Sequence, residues 1–168
     1  LHSAATTDGL TGLYNRRAVE QRLEAEISRA TRHQLTTTIV LLDLDRFKQV
    51  NDSLGHAGGD RLLVLVADIL RQQCRTLDAV GRLGGDEFLV ILPMTSPEEA
   101  MVFVGRVLSD IRNLETAHPE FGRQSVSLGI AAAPRHGATL NALMASADVA
   151  LYKAKNSGRN AVAHAEDR

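Results

Sequence analysis

The sequence predicts an α+β domain of the broad α/β class, with a central mixed β-sheet surrounded by helices. Three observations carry this. Segments of helical spacing alternate with short β-branched runs in the order helix, strand, helix, hairpin, helix, strand, helix, strand. Two of the runs, Val80–Leu83 and Phe88–Leu92, flank the short stretch Gly84-Gly85-Asp86-Glu87 and read as a hairpin, while the other strands are linked through helices. Hairpin and helix-linked connections together make a mixed sheet. The third is size and composition: 168 residues, 44% apolar and 23% charged, suffice for one domain with its own core.

The elements follow in order. Thr7 to Leu13 is rich in turn residues, and Asn15 is a suitable N-cap for a helix with Val19, Leu23, Ile27 and Ala30 on its apolar face. Thr36–Asp43, dense in Thr, Ile, Val and Leu, is a central strand. Acids, amides and glycines crowd the segment from there to Asp60, where sheet proteins place ligands. Leu62, Leu63, Val66, Ile69 and Leu70 mark an amphipathic helix over Arg61–Cys74, with Asp60 at its start and equally placed to be its N-cap. In the hairpin, Gly84 and Gly85 permit positive φ, put two carboxylates beside the turn, and leave room for something bulky to approach the backbone. Ser96-Pro97-Glu98-Glu99 is a capping box with Pro at the first helical position, opening a helix through Phe103, Val107 and Ile111. Ser125–Ala133 is a strand in which Gly129 marks close packing. Leu140–Asn156 is a helix with Gly158 as its C′ residue, and Ala161–Ala163 is a short last strand.

Composition excludes several function classes. A formal charge of −1 is poor for general nucleic-acid binding, which needs a basic face. No apolar run approaches the roughly 20 residues that span a bilayer, so no membrane contact by this domain is expected. The single cysteine, Cys74, forms no internal disulfide and reads as packing, which suits a reducing cytosol. With Leu1 at its start, the sequence is expected to be one domain of a longer chain, cytoplasmic itself even where the full-length protein is membrane-anchored.

Arg82-Leu83-Gly84-Gly85-Asp86-Glu87-Phe88 resembles the signature of the GGDEF family, the diguanylate cyclases that join two GTP molecules into cyclic di-GMP. Three further blocks are similar to the family pattern: Asp8 to Arg17, which parallels D-x-L-T-G-L-x-N-R-R, then Asp43 to Asp60, and Ala154 to Asn160. The resemblance spans Asp8 to Asn160. It implies a sheet and helices akin to the polymerase palm and the nucleotide cyclases, and a wide N-terminal turn behind a sensor. It also implies two Mg2+ (or Mn2+) ions per GTP half-site, held by the carboxylates of Asp43 and Asp86 and the Leu44 carbonyl. Two such ions, about 3.5–4 Å apart, stabilise the attacking and leaving oxygens of a phosphoryl transfer. Asp43 at a strand end and Asp86 at the hairpin can serve if their strands are neighbours.

In family register Lys48, Lys155 and Arg159 hold the triphosphate, with Phe47 and its neighbours giving backbone N–H groups and Gly84 and Gly85 lining the substrate. Taken alone, Lys48 and Lys155 read as solvated, and Lys155 also suits a helix C-terminus. Lys48 is the implied transition-state stabiliser. Asn51 and Asp60 are implied to read guanine, because a carboxylate can accept from N1–H and the exocyclic amine, a donor pair adenine lacks. His56 is as suited to ordering the loop as to touching substrate. Either Asp86 or Glu87 takes the 3′-hydroxyl proton. Asp45 fits the pattern without an assigned role.

One chain offers one nucleotide cradle, so two identical phosphodiester links imply a homodimer with GTP on each protomer. Arg75-Thr76-Leu77-Asp78 is by itself a helix-end charge pair. Five residues separate Asp78 from Gly84, the offset of the family's inhibitory site, which implies product binding by Arg75, Asp78 and Arg106. A catalytically silent receptor for GTP or cyclic di-GMP, regulating an attached domain, is the rival reading, disfavoured by intact Asp43, Asp86 and Glu87. An adenylate-type cyclase is disfavoured by Asp60.

Overall fold

The structure is a computed structural model and describes residues 5–167. Helix α1 (Arg16–His33) is followed by β1 (Thr37–Leu44), α2 (Phe47–Gln73), β2 (Ala79–Gly84), β3 (Glu87–Leu92) and α3 (Pro97–Ala117). A 3₁₀ turn (Pro119–Phe121), β4 (Val126–Ala133), α4 (Leu140–Asn156) and β5 (Val162–His164) complete the order. The five strands lie as β2-β3-β1-β4-β5, antiparallel except for the parallel β4–β5 pair, so the sheet is mixed as predicted.

Strand β1 is central and buried throughout, which explains its unbroken apolar run ending in an acid. One face of the sheet packs on α2 and α3 through Val40, Leu42, Phe88, Val90, Leu62 and Val104. The other packs on α1 and α4 through Ile39, Leu41, Ile91, Leu23 and Leu143. Local signals set the helix ends: Asn15 accepts from the Ala18 N–H, Ser96 and Glu99 form the capping box, and Gly158 follows the C-cap Ser157 with φ +106. A Cβ at Gly129 would lie 2.5 Å from both the Ala147 carbonyl oxygen and the Leu151 nitrogen, so glycine there lets α4 press onto β4.

Two readings need correction. Residues 47–54 are helical rather than loop, because Phe47, Val50 and Leu54 form an apolar face on the core. Asp60 therefore lies inside α2 and caps nothing. The helix breaks at Gly55 (φ 74, ψ 174). A Cβ at Gly59 would fall 1.9 Å from Asn51 Oδ1. Eight residues of straight helix span about 12 Å, so this contact requires a sharp bend. The second correction concerns the hairpin: Gly84 still pairs with Glu87, and Gly85 and Asp86 make the turn. Asp86 is in the turn, not beside it.

Candidate active site at the β1 end and the β2–β3 hairpin

Because β1 and β3 are neighbours, Asp43 stands directly across from Glu87, with Asp86 one residue before it in the turn. The Leu44 N–H donates to the Asp86 carbonyl at 3.3 Å, tying the strand end to the hairpin. Asp43 is buried. Its Oδ2 accepts from Lys155 Nζ, while its Oδ1 has no hydrogen-bond partner. The Asp86 carboxyl interacts electrostatically with Asp43. Burial first, and then Asp43, push Asp86 up from 3.8 to about 7, with Lys155 acting in the opposite sense. Glu87 is also raised, by burial, by Asp148 and by Asp43.

These carboxylates fit a divalent cation. Two acceptors face each other without a proton to share when both are ionised, and one buried oxygen lacks any donor. No group of three or more His, Cys, Asp or Glu side chains placed to hold a metal occurs among the described residues. Magnesium needs few protein ligands when phosphate and water oxygens complete its octahedron.

Asp45, one residue beyond β1, has a structural task. It accepts from Ser125 Oγ (2.6 Å), Ser127 Oγ (2.7 Å) and the Asn160 N–H (2.8 Å), holding the chain after α4 against the end of β1. This fixes the backbone next to Arg159, whose φ is +65. Lys48 and Arg159 are exposed and make no hydrogen bond or ion pair among the described residues. Lys155 is engaged with Asp43, so it must change partner to reach a phosphate.

Asn51 lies across Gly59 on the inside of the α2 bend, next to Phe47. Asp60 and His56 are exposed and without partners among the described residues. An apolar cavity of about 330 Å³, lined by Leu10, Val64, Leu65 and Phe121, has Asp60 at its edge. The sequence reading missed Gly59, whose lack of a side chain seats Asn51, although the Gly58-Gly59 pair is its signal. It also missed Asp148 and Arg16, which act electrostatically on Glu87.

The second predicted site gathers apart from these residues. Arg75, Asp78 and Arg106 line one cavity of about 270 Å³ with Thr95, Glu99 and Val102. Asp78 Oδ2 accepts from the Arg75 N–H at 2.7 Å, and Arg75 Nη2 donates to Thr95 Oγ1 at 2.9 Å. Asp78 Oδ1 is buried without a partner. Nearby, burial pushes the Cys74 thiol up to about 12, which makes it an inert packing group.

Residues 5–161 match the family described as "Diguanylate cyclase, GGDEF domain". The chain is 38% identical over 160 residues to the probable diguanylate cyclase DgcC of Escherichia coli, covering 95% of this chain and 43% of that protein. It is 39% identical over 156 residues to the bifunctional diguanylate cyclase/cyclic di-GMP phosphodiesterase MucR of Pseudomonas aeruginosa, covering 93% and 23%. It thus spans less than half the length of these relatives. Among solved structures, the GGDEF domain of DgcB from Caulobacter crescentus in complex with c-di-GMP superposes with a TM-score of 0.90 at 31% identity, covering 99% of this chain and 97% of that one. The isolated GGDEF domain of TpbB from Pseudomonas aeruginosa gives 0.87 at 38%, covering 95% and 94%.

Proposed function

Since this chain belongs to the GGDEF family of diguanylate cyclase domains, we propose that it condenses two GTP molecules into cyclic di-GMP and two pyrophosphates, working as a homodimer with one nucleotide on each protomer. The observation that carries the reading is the Asp43–Asp86 pair, with one buried oxygen unpartnered and Asp86 pushed up to about 7. Such a pair costs stability unless a cation occupies it, and so it suits a site built for one.

Asp43, Asp86 and the Leu44 carbonyl would hold Mg2+ or Mn2+. When bound, the ions supply charge neutralisation at the phosphates and activation of the 3′-hydroxyl. Lys48 and Arg159, whose side chains have no partner among the described residues, bind the triphosphate, and Lys48 neutralises the charge that grows as pyrophosphate leaves. Lys155 joins them once its present partner Asp43 takes up a cation. Asn51, seated on Gly59, and Asp60 recognise the guanine edge. Glu87 stands across from Asp43 with its carboxyl raised by burial, by Asp148 and by Asp43, and either Asp86 or Glu87 takes the 3′-hydroxyl proton. Product inhibition is assigned to the Arg75, Asp78 and Arg106 cavity. Asp78 is assigned the guanine edge, and the arginine forks suit phosphate.

The test is turnover of GTP with Mg2+ by the 168-residue chain. Asp43→Asn and Asp86→Ala should remain folded by circular dichroism yet form no cyclic di-GMP. Substantial product from either variant ends the assignment. Specific activity should rise with protein concentration through the range where sedimentation shows monomer passing to dimer.

A further inference from the structure

The hairpin that carries Asp86 is gripped from outside by the segment that precedes α1. Arg82 Nε donates to the Gly85 carbonyl at 2.9 Å, and its Nη1 reaches both carboxylate oxygens of Asp8 at 3.3 and 3.4 Å. Asp8 is itself fixed, accepting from the Thr11 N–H at 2.9 Å and from Thr11 Oγ1 at 2.8 Å. Its backbone closes the turn, with the Asp8 N–H donating to the Leu13 carbonyl and the Gly12 N–H to the Asp8 carbonyl. On the other side of Gly84, Arg16 Nε donates to the Leu83 carbonyl at 3.0 Å. Between these anchors the Arg82 N–H donates to the Tyr14 carbonyl at 2.9 Å, so residue 14 runs beside β2 as a short parallel bridge to Gly81.

The turn has little else to hold it. A Cβ at Gly84 or Gly85 would meet nothing within 4 Å, and both residues sit at positive φ. Open packing and glycine freedom make such a turn mobile by default. Its fixed points are carbonyls: Leu83 on Arg16, Gly85 on Arg82, and Asp86 on the Leu44 N–H. Of the two outer anchors, Arg16 opens α1, and Arg82 of β2 is braced by Asp8 in the segment before α1. Arginine suits the bridge because one planar fork can satisfy a carbonyl and a carboxylate at once, whereas a lysine ammonium is a compact point charge without that fork.

We infer that Arg82, backed by Asp8 and Arg16, is a positioning residue that locks the Asp86 hairpin to the segment before α1, so that a displacement of that segment moves Asp86 relative to Asp43. This deepens the proposed function, since it rests on Asp86 as a metal ligand. It makes the N-terminal turn a control on metal loading. Arg82 and Asp8 act through the backbone of the turn and touch no reacting atom.

The experiment has two arms on the 168-residue chain. In the first, hydrogen–deuterium exchange is followed by mass spectrometry on the metal-free protein. Arg82→Met should speed exchange at residues 84–87 roughly tenfold, the loss expected from one charge-assisted contact, and leave residues 89–92 of β3 unchanged. Asp8→Asn should do the same to a smaller extent, and the Asp8→Asn/Arg82→Met pair should add little to Arg82→Met alone. In the second arm, the Mg2+ concentration for half-maximal turnover should rise severalfold in Arg82→Met. KM for GTP at saturating Mg2+ should stay within about twofold of wild type, and Asp8→Glu should retain most of the wild-type behaviour. Unchanged exchange at 84–87 in a folded Arg82→Met would overturn the proposal. So would a rise spread evenly over the whole sheet, or a wild-type Mg2+ midpoint. Failure of the metal reading itself shows separately, as turnover by Asp86→Ala.

Discussion

Removing the charge at Asp86 should stabilise the metal-free domain while silencing it. Asp86 is raised from 3.8 to about 7 by burial and by Asp43, so folding favours its protonated form. Between those two values the folded state binds more protons than the unfolded state, and stability falls as pH rises through that window. Below about 4 the penalty vanishes, and above about 7 it is fully present. Unscreened, such a displacement amounts to roughly 4 kcal/mol. Asp86 is only half-buried, and water at its exposed side reduces this to about 1–2 kcal/mol. For a chain of this length that is about 3–6 °C in Tm. Asp86→Asn should therefore melt about 3–6 °C above wild type at pH 8 without divalent ions, and the gap should close toward pH 4.5. Saturating Mg2+ with a non-hydrolysable GTP analogue should narrow or reverse the gap, because the wild type, which keeps both metal carboxylates, gains more from ligand binding. Differential scanning calorimetry across pH decides the matter. An Asn variant no more stable than wild type at pH 8, or a gap independent of pH, would refute the reasoning.

Two further outcomes follow from the other assignments. Asp60→Ser should relax the choice between GTP and ATP in a competition assay while shifting Tm little, because the Asp60 side chain is exposed and has no hydrogen bond or ion pair among the described residues; unchanged preference removes it from the base pocket. Arg75→Ala should weaken inhibition by added cyclic di-GMP about tenfold or more, the loss of one charge-assisted contact, with initial rates in the absence of product preserved; superimposable inhibition curves remove the arginine from that site.

What the sequence made legible was whatever is written locally. Asn15, the Ser96/Glu99 box and Gly158 each specify a helix end within four residues, and each is found where it was read. Alternating apolar runs placed β1 and the hairpin. The pairing of β1 with β3, and with it the meeting of Asp43 and the hairpin acids, needed only that those strands be neighbours. The helix over residues 47–54 escaped because its three apolar anchors, Phe47, Val50 and Leu54, are diluted by Asn51, Asp52 and Ser53. That stretch has the composition of a loop, yet its apolar face is held by the core cluster beneath it.

The charged residues were the harder part, for a reason of chain separation rather than of chemistry. Lys155 meets Asp43 across 112 positions, Arg82 meets Asp8 across 74, and Asp45 meets Ser127 across 82. No window of sequence contains both members of such a pair. Arg16 illustrates the consequence: beside Glu20 it reads as one more i,i+4 pair on a solvated helix face, and that 3.8 Å pair does exist. The same side chain also donates to Leu83 and acts on Glu87. A surface ion pair contributes little, whereas a carbonyl held beside an unpacked glycine turn is, on the positioning role inferred above, what would set where the next carboxylate points. The residue's local appearance therefore describes its weaker interaction, and only the folded chain supplies the stronger one.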